Sequence, residues 1–255
     1  MTEKAEAERH ERTAALLWGP PRVPSRGPRP KLSQGRIVDT AVALADAVGI
    51  DAVSMQRVAS ELGYTKMSLY RYVSRRDDLL ALMTDTAHGP APEIGGPELG
   101  WRECLRAWGM ALWPVLREHP WLLRTAVGVR VMGPNELAWT ETALRALSGS
   151  GLGGTERLDA IALVAGHVRG IAQQNPPHES GSEHGRDEDA GEDGDEGNLE
   201  EAILRAMAPI LTQHGERYPE TAAAFSSGEG RDFALEFGLE CILDGLERRI
   251  GRDAG

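Results

Sequence analysis

The sequence predicts an all-α protein, with an N-terminal helix-turn-helix head of three helices and a larger C-terminal helical domain. Three observations point there. From Ser33 onward apolar residues recur at three- and four-residue spacing. No stretch alternates with period two, so no strand is expected. Serine, threonine or aspartate stands before several of the apolar runs, where helix caps belong.

Residues 1–30 are expected to be a disordered leader. Glu, Lys, Arg and Ala alternate up to Trp18, a pattern that fits a helical turn or two as well as the preferred mobile tail, and Gly19–Pro30 carries five prolines with Arg22, Arg26 and Arg29 between them. The head is assigned to 31–88. Ser33 is a candidate N-cap for a helix with Ile37, Ala41, Leu44, Ala45 and Val48 on one face, ending at Gly49. Ser54 caps a short second helix with Val58, Ala59 and Leu62 inward, stopped by Gly63. A third begins at Thr65, with Leu69 and Val73 four residues apart facing the core. A fourth begins at Ser74, with Asp77 placed for a capping box and Asp77 and Asp78 at its positive end.

The second domain is assigned to 96–250. Glu98–Glu118 sets Trp101, Leu105, Trp108, Leu112 and Val115 on one stripe. Pro120–Val127, Asn135–Ser148, Arg157–Gln174, Asn198–Gln213 and Asp232–Ile250 follow as helices. Between Arg157–Gln174 and Asn198–Gln213, residues 176–197 hold nine acids and one Arg with almost nothing apolar, so this segment is expected to be a disordered loop.

The 255 residues are 41% hydrophobic, enough for a core and too many for wholesale disorder. No run approaches the ~18 apolar residues of a membrane span, so no membrane partner is expected. Ala14–Trp18 is too short for a secretory signal. Two cysteines, Cys104 and Cys241, make neither a disulfide scaffold nor a thiolate metal site. A cytoplasmic protein without cofactor or metal is the expectation.

Charge is unevenly divided along a chain of net charge −11. Arg22–Arg76 has ten Lys/Arg against four Asp/Glu, whereas Gly89 to the end has 15 against 28. A basic segment on an acidic body suits a protein that meets a polyanion with one end only.

The second and third helices, joined at Gly63, form a helix-turn-helix candidate. A glycine just past the second helix tolerates the left-handed conformation of a tight turn. The outward face of the third helix then carries Lys66, Met67, Ser68, Tyr70, Arg71 and Tyr72, with donors and aromatics and no acid. Such a face can enter a major groove, while Arg75 and Arg76 reach for the backbone. The same pattern also fits an ordinary helical hairpin with a polar side.

Ser54–Leu80, SMQRVASELGYTKMSLYRYVSRRDDLL, resembles the DNA-binding domain of the TetR family of transcriptional repressors. The resemblance lies in the apolar-Ala-x-x-Leu-Gly run, the Ser-Leu-Tyr-x-Tyr-Val segment and the basic-acidic cluster before Leu-Leu. It is strong over Lys31–Ala87 and weaker over the rest, where the family carries a divergent helical ligand-binding and dimerisation domain. It implies base or phosphate contacts from Lys66, Met67 and Ser68, with Tyr70 on a phosphate and Tyr72 facing the groove. Ser54 and Gln56 match positions that reach the DNA edge, and Arg76 matches a backbone-contacting residue. This chain has Tyr72 where many members have His and Val73 where many have Phe. The leader, through Arg26, Arg29 and Lys31, is either a minor-groove arm of the kind some members have or a free solvated arm.

One short recognition helix makes few base contacts, so two half-sites and a homodimer are expected. Leu235, Leu239, Ile242 and Leu246 form one stripe on the last helix, and Phe233, Phe237 and Cys241 another. The first is assigned to the dimer interface. Small residues in Arg157–Gln174, such as Ala160 and Gly166, permit close helix approach. The family also implies a small apolar or aromatic ligand, for which Trp101, Trp108, Met110, Trp113, Met132 and Trp139 are the candidate lining; core packing is the competing use.

No phosphate loop, nucleophile elbow or zinc helix is present, so no enzyme is expected. Gly149–Gly154 has a glycine-rich spacing but follows a helix rather than a strand. His178 and His184 read as solvated loop residues, and His119 and His167 as structural. The resulting expectation is a DNA-binding regulator, a repressor released from a palindromic operator by a small molecule. The alternative is a helical ligand-binding or protein-interaction module that has lost operator recognition.

Overall fold

The computed structural model describes residues 3–19, 32–95, 99–175, 199–227 and 234–253. Among the described residues every regular element is helical. The head holds α2 (Gln34–Val48), α3 (Met55–Leu62) and α4 (Lys66–Leu69), preceded by α1 (Glu3–Trp18) and followed by α5 (Arg76–His88). The body holds α6 (Trp101–Glu118), α7 (Leu122–Thr125), α8 (Pro134–Ala146) and α9 (Gly154–Gln174). Its later helices are α10 (Leu199–His214), α11 (Pro219–Ser227) and α12 (Ala234–Asp253).

The capping residues set the helix starts in the head. Ser33 Oγ accepts from Arg36 N at 3.2 Å to open α2, and the apolar face behind it is buried at Ile37, Val38, Ala41, Leu44 and Ala45. That face closes over Val58, Leu69 and Val73, all fully buried. The fourth helix departs from its expected start. Ser74 does not cap it: Arg75 occupies the cap without a side-chain hydrogen bond, and Asp77 and Asp78 fall in the first turn. There they oppose the unpaired N–H groups through charge alone.

The leader needs correction. Residues 3–18 are a helix, α1, that packs on α5, with Leu16 and Leu17 against the core. Thr13 Oγ1 donates to the buried Asp78 at 3.4 Å, and Trp18 Nε1 donates to the Met132 carbonyl at 3.1 Å. Tertiary contact supplies the order that the alternating charges alone would not. The proposed arm at Arg26, Arg29 and Lys31 lies outside the described residues, as do the acidic segment 176–197, His178, His184 and Phe233.

The body is built on α6, which packs against α8, α9 and α12. Leu105, Leu112, Leu116, Leu147, Val164 and Val168 are buried there. The stripe assigned to the dimer belongs to this core: Leu235 and Leu239 are buried, together with Leu243, and Ile242 and Leu246 are half-buried against the same cluster. The two stripes of α12 have the same periodicity, and the leucines take the inner side. In α9, Ala160 faces inward but Gly166 is exposed, so that glycine does not serve packing within the chain.

Two sets of polar contacts fix the head to the body. Asp46 of α2 accepts from Trp121 Nε1 at 2.6 Å and from His119 Nδ1 at 2.8 Å. Asp51 takes both Arg124 donors, at 2.7 and 3.0 Å. The second set runs through α5. Its Asp85 Oδ1 accepts from the N–H groups of Asn135 and Glu136, at 2.9 and 3.1 Å, and so caps α8 from another helix. Gly133 makes this possible, since a Cβ there would stand 2.2 Å from the Asp85 carboxyl. Glu136, itself buried, is paired with Arg130 and lies 3.9 Å from His88 Nε2.

Candidate nucleic-acid interface

The helix-turn-helix is fixed at each joint by a backbone or hydroxyl contact. Ser54 Oγ accepts from Arg57 N at 3.2 Å to start α3. Gly63 ends it with φ 72° and ψ 29°, donating to the Ser60 carbonyl at 3.0 Å while Tyr64 N reaches Ala59 at 2.9 Å. These two bonds make the left-handed turn that redirects the chain into α4. Thr65 then caps α4 through Ser68, whose hydroxyl is 3.0 Å from the Thr65 hydroxyl. Gly63→Ala puts a Cβ on the left-handed turn and is expected to cost about 1 kcal/mol in urea unfolding. Wild-type stability in that variant would contradict the role given to the turn.

The third helix is shorter than the sequence pattern suggests. Regular α-helix ends at Leu69, and Tyr70–Tyr72 continue as turns closed by Tyr72 N on the Leu69 carbonyl at 2.8 Å. Leu69 and Val73 are buried as expected, which turns the intervening residues outward. Met67 is 72% exposed, with Lys66 and Arg71 exposed beside it. The Lys66 ammonium stands 5.5 Å from the Tyr70 ring centre, so cation and phenol occupy one patch. Tyr70 and Tyr72 are half-buried, with their rings against the head core. Ser54 and Gln56 are exposed at the start of α3.

Arg76 departs from its expected use. Its Nε donates to the Val53 carbonyl at 2.9 Å and one terminal nitrogen to the Ile50 carbonyl at 3.1 Å. The guanidinium therefore ties α5 to the turn that launches α3. It positions the motif, and no local sequence signal distinguishes that use from a reach toward solvent. Asp51, in the same turn, has its carboxyl held below the usual range, first by the Arg124 hydrogen bond and then by the charges of Arg124 and Arg76.

The candidate ligand residues are scattered. Trp108 and Trp139 are buried edge-to-face with ring centres 6.2 Å apart. Both indole N–H groups are used, Trp108 on the Trp139 carbonyl at 2.9 Å and Trp139 on the His88 carbonyl at 3.1 Å. Trp101 and Met110 are half-buried against the body core. Trp113 carries the Arg117 guanidinium 5.8 Å from its ring centre, and Met132 is exposed. Core packing thus accounts for Trp108 and Trp139, whose rings and indole N–H groups are all engaged within the body. The packing of α1 on α5 and the Asp85 cap of α8 join distant parts of the chain and leave no local signal in the sequence, whereas Arg130–Glu136 is a pair six residues apart. Among the described residues no helix is long and apolar enough to cross a membrane.

Similarity to known proteins extends over nearly the whole chain. Residues 37–83 match the family described as bacterial regulatory proteins, tetR family, and residues 93–250 match the tetracyclin repressor-like C-terminal domain. The HTH-type transcriptional repressor DrrR1 of Streptomyces coeruleorubidus is 36% identical over 96% of this chain and 88% of its own length. An HTH-type transcriptional regulator of Saccharopolyspora erythraea is 31% identical, over 98% of this chain and 99% of its own. Among solved structures, ligand-free ActR of Streptomyces coelicolor superposes with a TM-score of 0.66 at 28% identity, covering 88% of this chain and 99% of ActR. ActR is also known in complex with actinorhodin, at a TM-score of 0.67 with 86% and 99% covered. Proteins of this kind are non-enzymatic transcription factors that bind operator DNA and respond to small molecules. With a helix-turn-helix head, a helical body and relatives matched along nearly its full length, the chain belongs to the TetR family of DNA-binding transcriptional regulators.

Proposed function

We propose that the protein is a homodimeric repressor that binds a palindromic operator and leaves it when a small apolar or aromatic ligand binds the body. The observation that carries this reading is the outward patch of Lys66, Met67 and Tyr70 on a motif held rigid by Ser54, Gly63 and Thr65. Lys66, Met67, Ser68 and Tyr72 supply groove and phosphate contacts, and Tyr70 gives a phosphate its hydroxyl. Ser54 and Gln56 border the groove at the other helix of the motif. Arg76 acts indirectly, by holding α3 in place.

The dimer face lies on the outer sides of α9 and α12, which pack against each other. Leu163 and Phe237 are 53% and 72% exposed there, with Leu158 and Cys241 also exposed. Apolar side chains this open on a rigid two-helix face favour a second copy of the same face, giving a four-helix bundle.

Selection of bound duplexes from a random library tests the reading. The enriched site should be an inverted repeat with half-sites spaced by a whole number of helical turns, because two-fold protein symmetry is copied in the DNA. Recovery of unpaired half-sites, or no enrichment, would contradict it. The latter would favour a helical module that no longer reads DNA.

A further inference from the structure

We propose a second ligand site at the junction of head and body, taken by a small organic anion with an apolar frame. A cleft of about 290 Å³ lies between α1, α5 and the segment 124–131 that links α7 to α8. This is near the lower end of the size range of small-molecule sites. It is separate from the tryptophans of the body, none of which lines it.

The lining selects the chemistry. Three guanidinium groups, Arg9, Arg124 and Arg130, border the cleft with one acid, Asp77, in its lining; their own acid partners, Glu6, Asp51 and Glu136, stand outside that lining. Leu80 with Val127 and Val129 supplies apolar wall, and the two valines are 52% and 85% exposed, which leaves that side accessible. Two further lining side chains each hold a buried polar atom with no hydrogen-bond partner in the protein, His10 Nε2 and Thr125 Oγ1. Native proteins rarely leave such atoms unmet, because burial removes their water without replacing it. A carboxylate brought in by the arginines is an acceptor to which the Thr125 hydroxyl and the His10 imidazole N–H can both donate.

The position links occupancy to the head. Arg124 is the residue that clamps Asp51, at the turn before α3. An anion in the cleft competes with Asp51 for that guanidinium and loosens part of the first of the two sets of contacts between head and body, leaving the Asp46 bonds in place. α1 and α5 form the opposite walls, and α5 is the helix that leaves the head. The effect on DNA rests on the operator-binding reading; binding in the cleft does not.

Calorimetry of the full chain with 2-naphthoate, an apolar two-ring frame with one carboxylate, tests the site. 2-Naphthoate should bind, and the neutral isostere 2-naphthamide should bind about tenfold more weakly or not at all. Arg9→Gln removes a cation, and Val127→Trp fills the cleft from its exposed side. Each should weaken 2-naphthoate about fivefold or more while retaining the wild-type melting curve. Operator affinity without 2-naphthoate should be unchanged in both variants, and its loss on adding 2-naphthoate should be reduced. Failure of 2-naphthoate to bind, or equal binding by wild type and both variants, overturns the site. If the protein binds no operator, the calorimetry still decides the cleft, so the two readings fail separately.

Discussion

Leu163→Glu combined with Phe237→Glu should produce a monomer by light scattering, with operator affinity lower by about two orders of magnitude. Both side chains stand on the outer faces of α9 and α12 and are largely exposed in a single chain. Placing carboxylates there costs the isolated fold little. In a symmetric dimer each face meets its own copy, so the pair introduces like charges into an apolar contact four times over. A monomer presents one recognition helix, and loss of the second half-site removes the linkage that makes binding tight. The contrast is Leu239→Glu, which buries a charge in the chain's own core and should unfold the protein rather than dissociate it. If the double variant remains a dimer, the interface lies elsewhere.

Asp85→Ala should lower the unfolding free energy by about 2–3 kcal/mol, since one buried and one half-buried backbone N–H group of α8 lose their acceptor. Asp85 also joins α5 to α8 through its own carbonyl, which accepts from Asn135 Nδ2 at 3.0 Å and survives the substitution. Asp85→Asn keeps one acceptor oxygen and should cost much less than alanine. The pH dependence has a definite sign. Burial raises the Asp85 carboxyl above its ordinary value of 3.8, outweighing the backbone hydrogen bonds that favour the anion. The folded protein therefore holds this proton more tightly than the unfolded chain. Its contribution is fully present below the unfolded value and is lost as pH rises through the raised folded one. Asp85→Asn should lack that component of the decline, as read from urea unfolding at several pH values. A parallel pH profile in the two proteins would contradict burial as the dominant influence.

Local signals make the head legible from sequence alone. Ser33, Ser54 and Gly63 each act within a few residues of their own position, and each does what its type suggests. The body's helices are legible for the same reason, although α11 escapes because its short run of alanines has little periodicity. What stays hidden depends on partners far away in sequence. α1 is ordered by α5, more than sixty residues on, through contacts such as Thr13 with Asp78. Arg76 turns inward because the Val53 and Ile50 carbonyls face it. On α12 two apolar stripes have equal claim to the core, and only packing against α6 and α9 assigns Leu239 inward and Phe237 outward. Asp85 and Glu136 look like ordinary surface acids until α8 is set beside α5.

If DNA is read by the patch around Lys66 and Tyr70, two substitutions there separate charge from hydrogen bonding. Lys66→Ala removes the cation, whereas Tyr70→Phe keeps the ring beneath Lys66 and removes only the hydroxyl. Both lie outside the buried core and should leave folding unchanged. Affinity for the selected operator, measured by fluorescence anisotropy across a salt series, is the decisive quantity. Each variant should bind about fivefold to tenfold more weakly than wild type. Lys66→Ala should also make the log–log salt slope shallower by roughly 0.9 for every phosphate it no longer neutralises. Wild-type affinity and slope in both variants would contradict the assignment of this face to DNA.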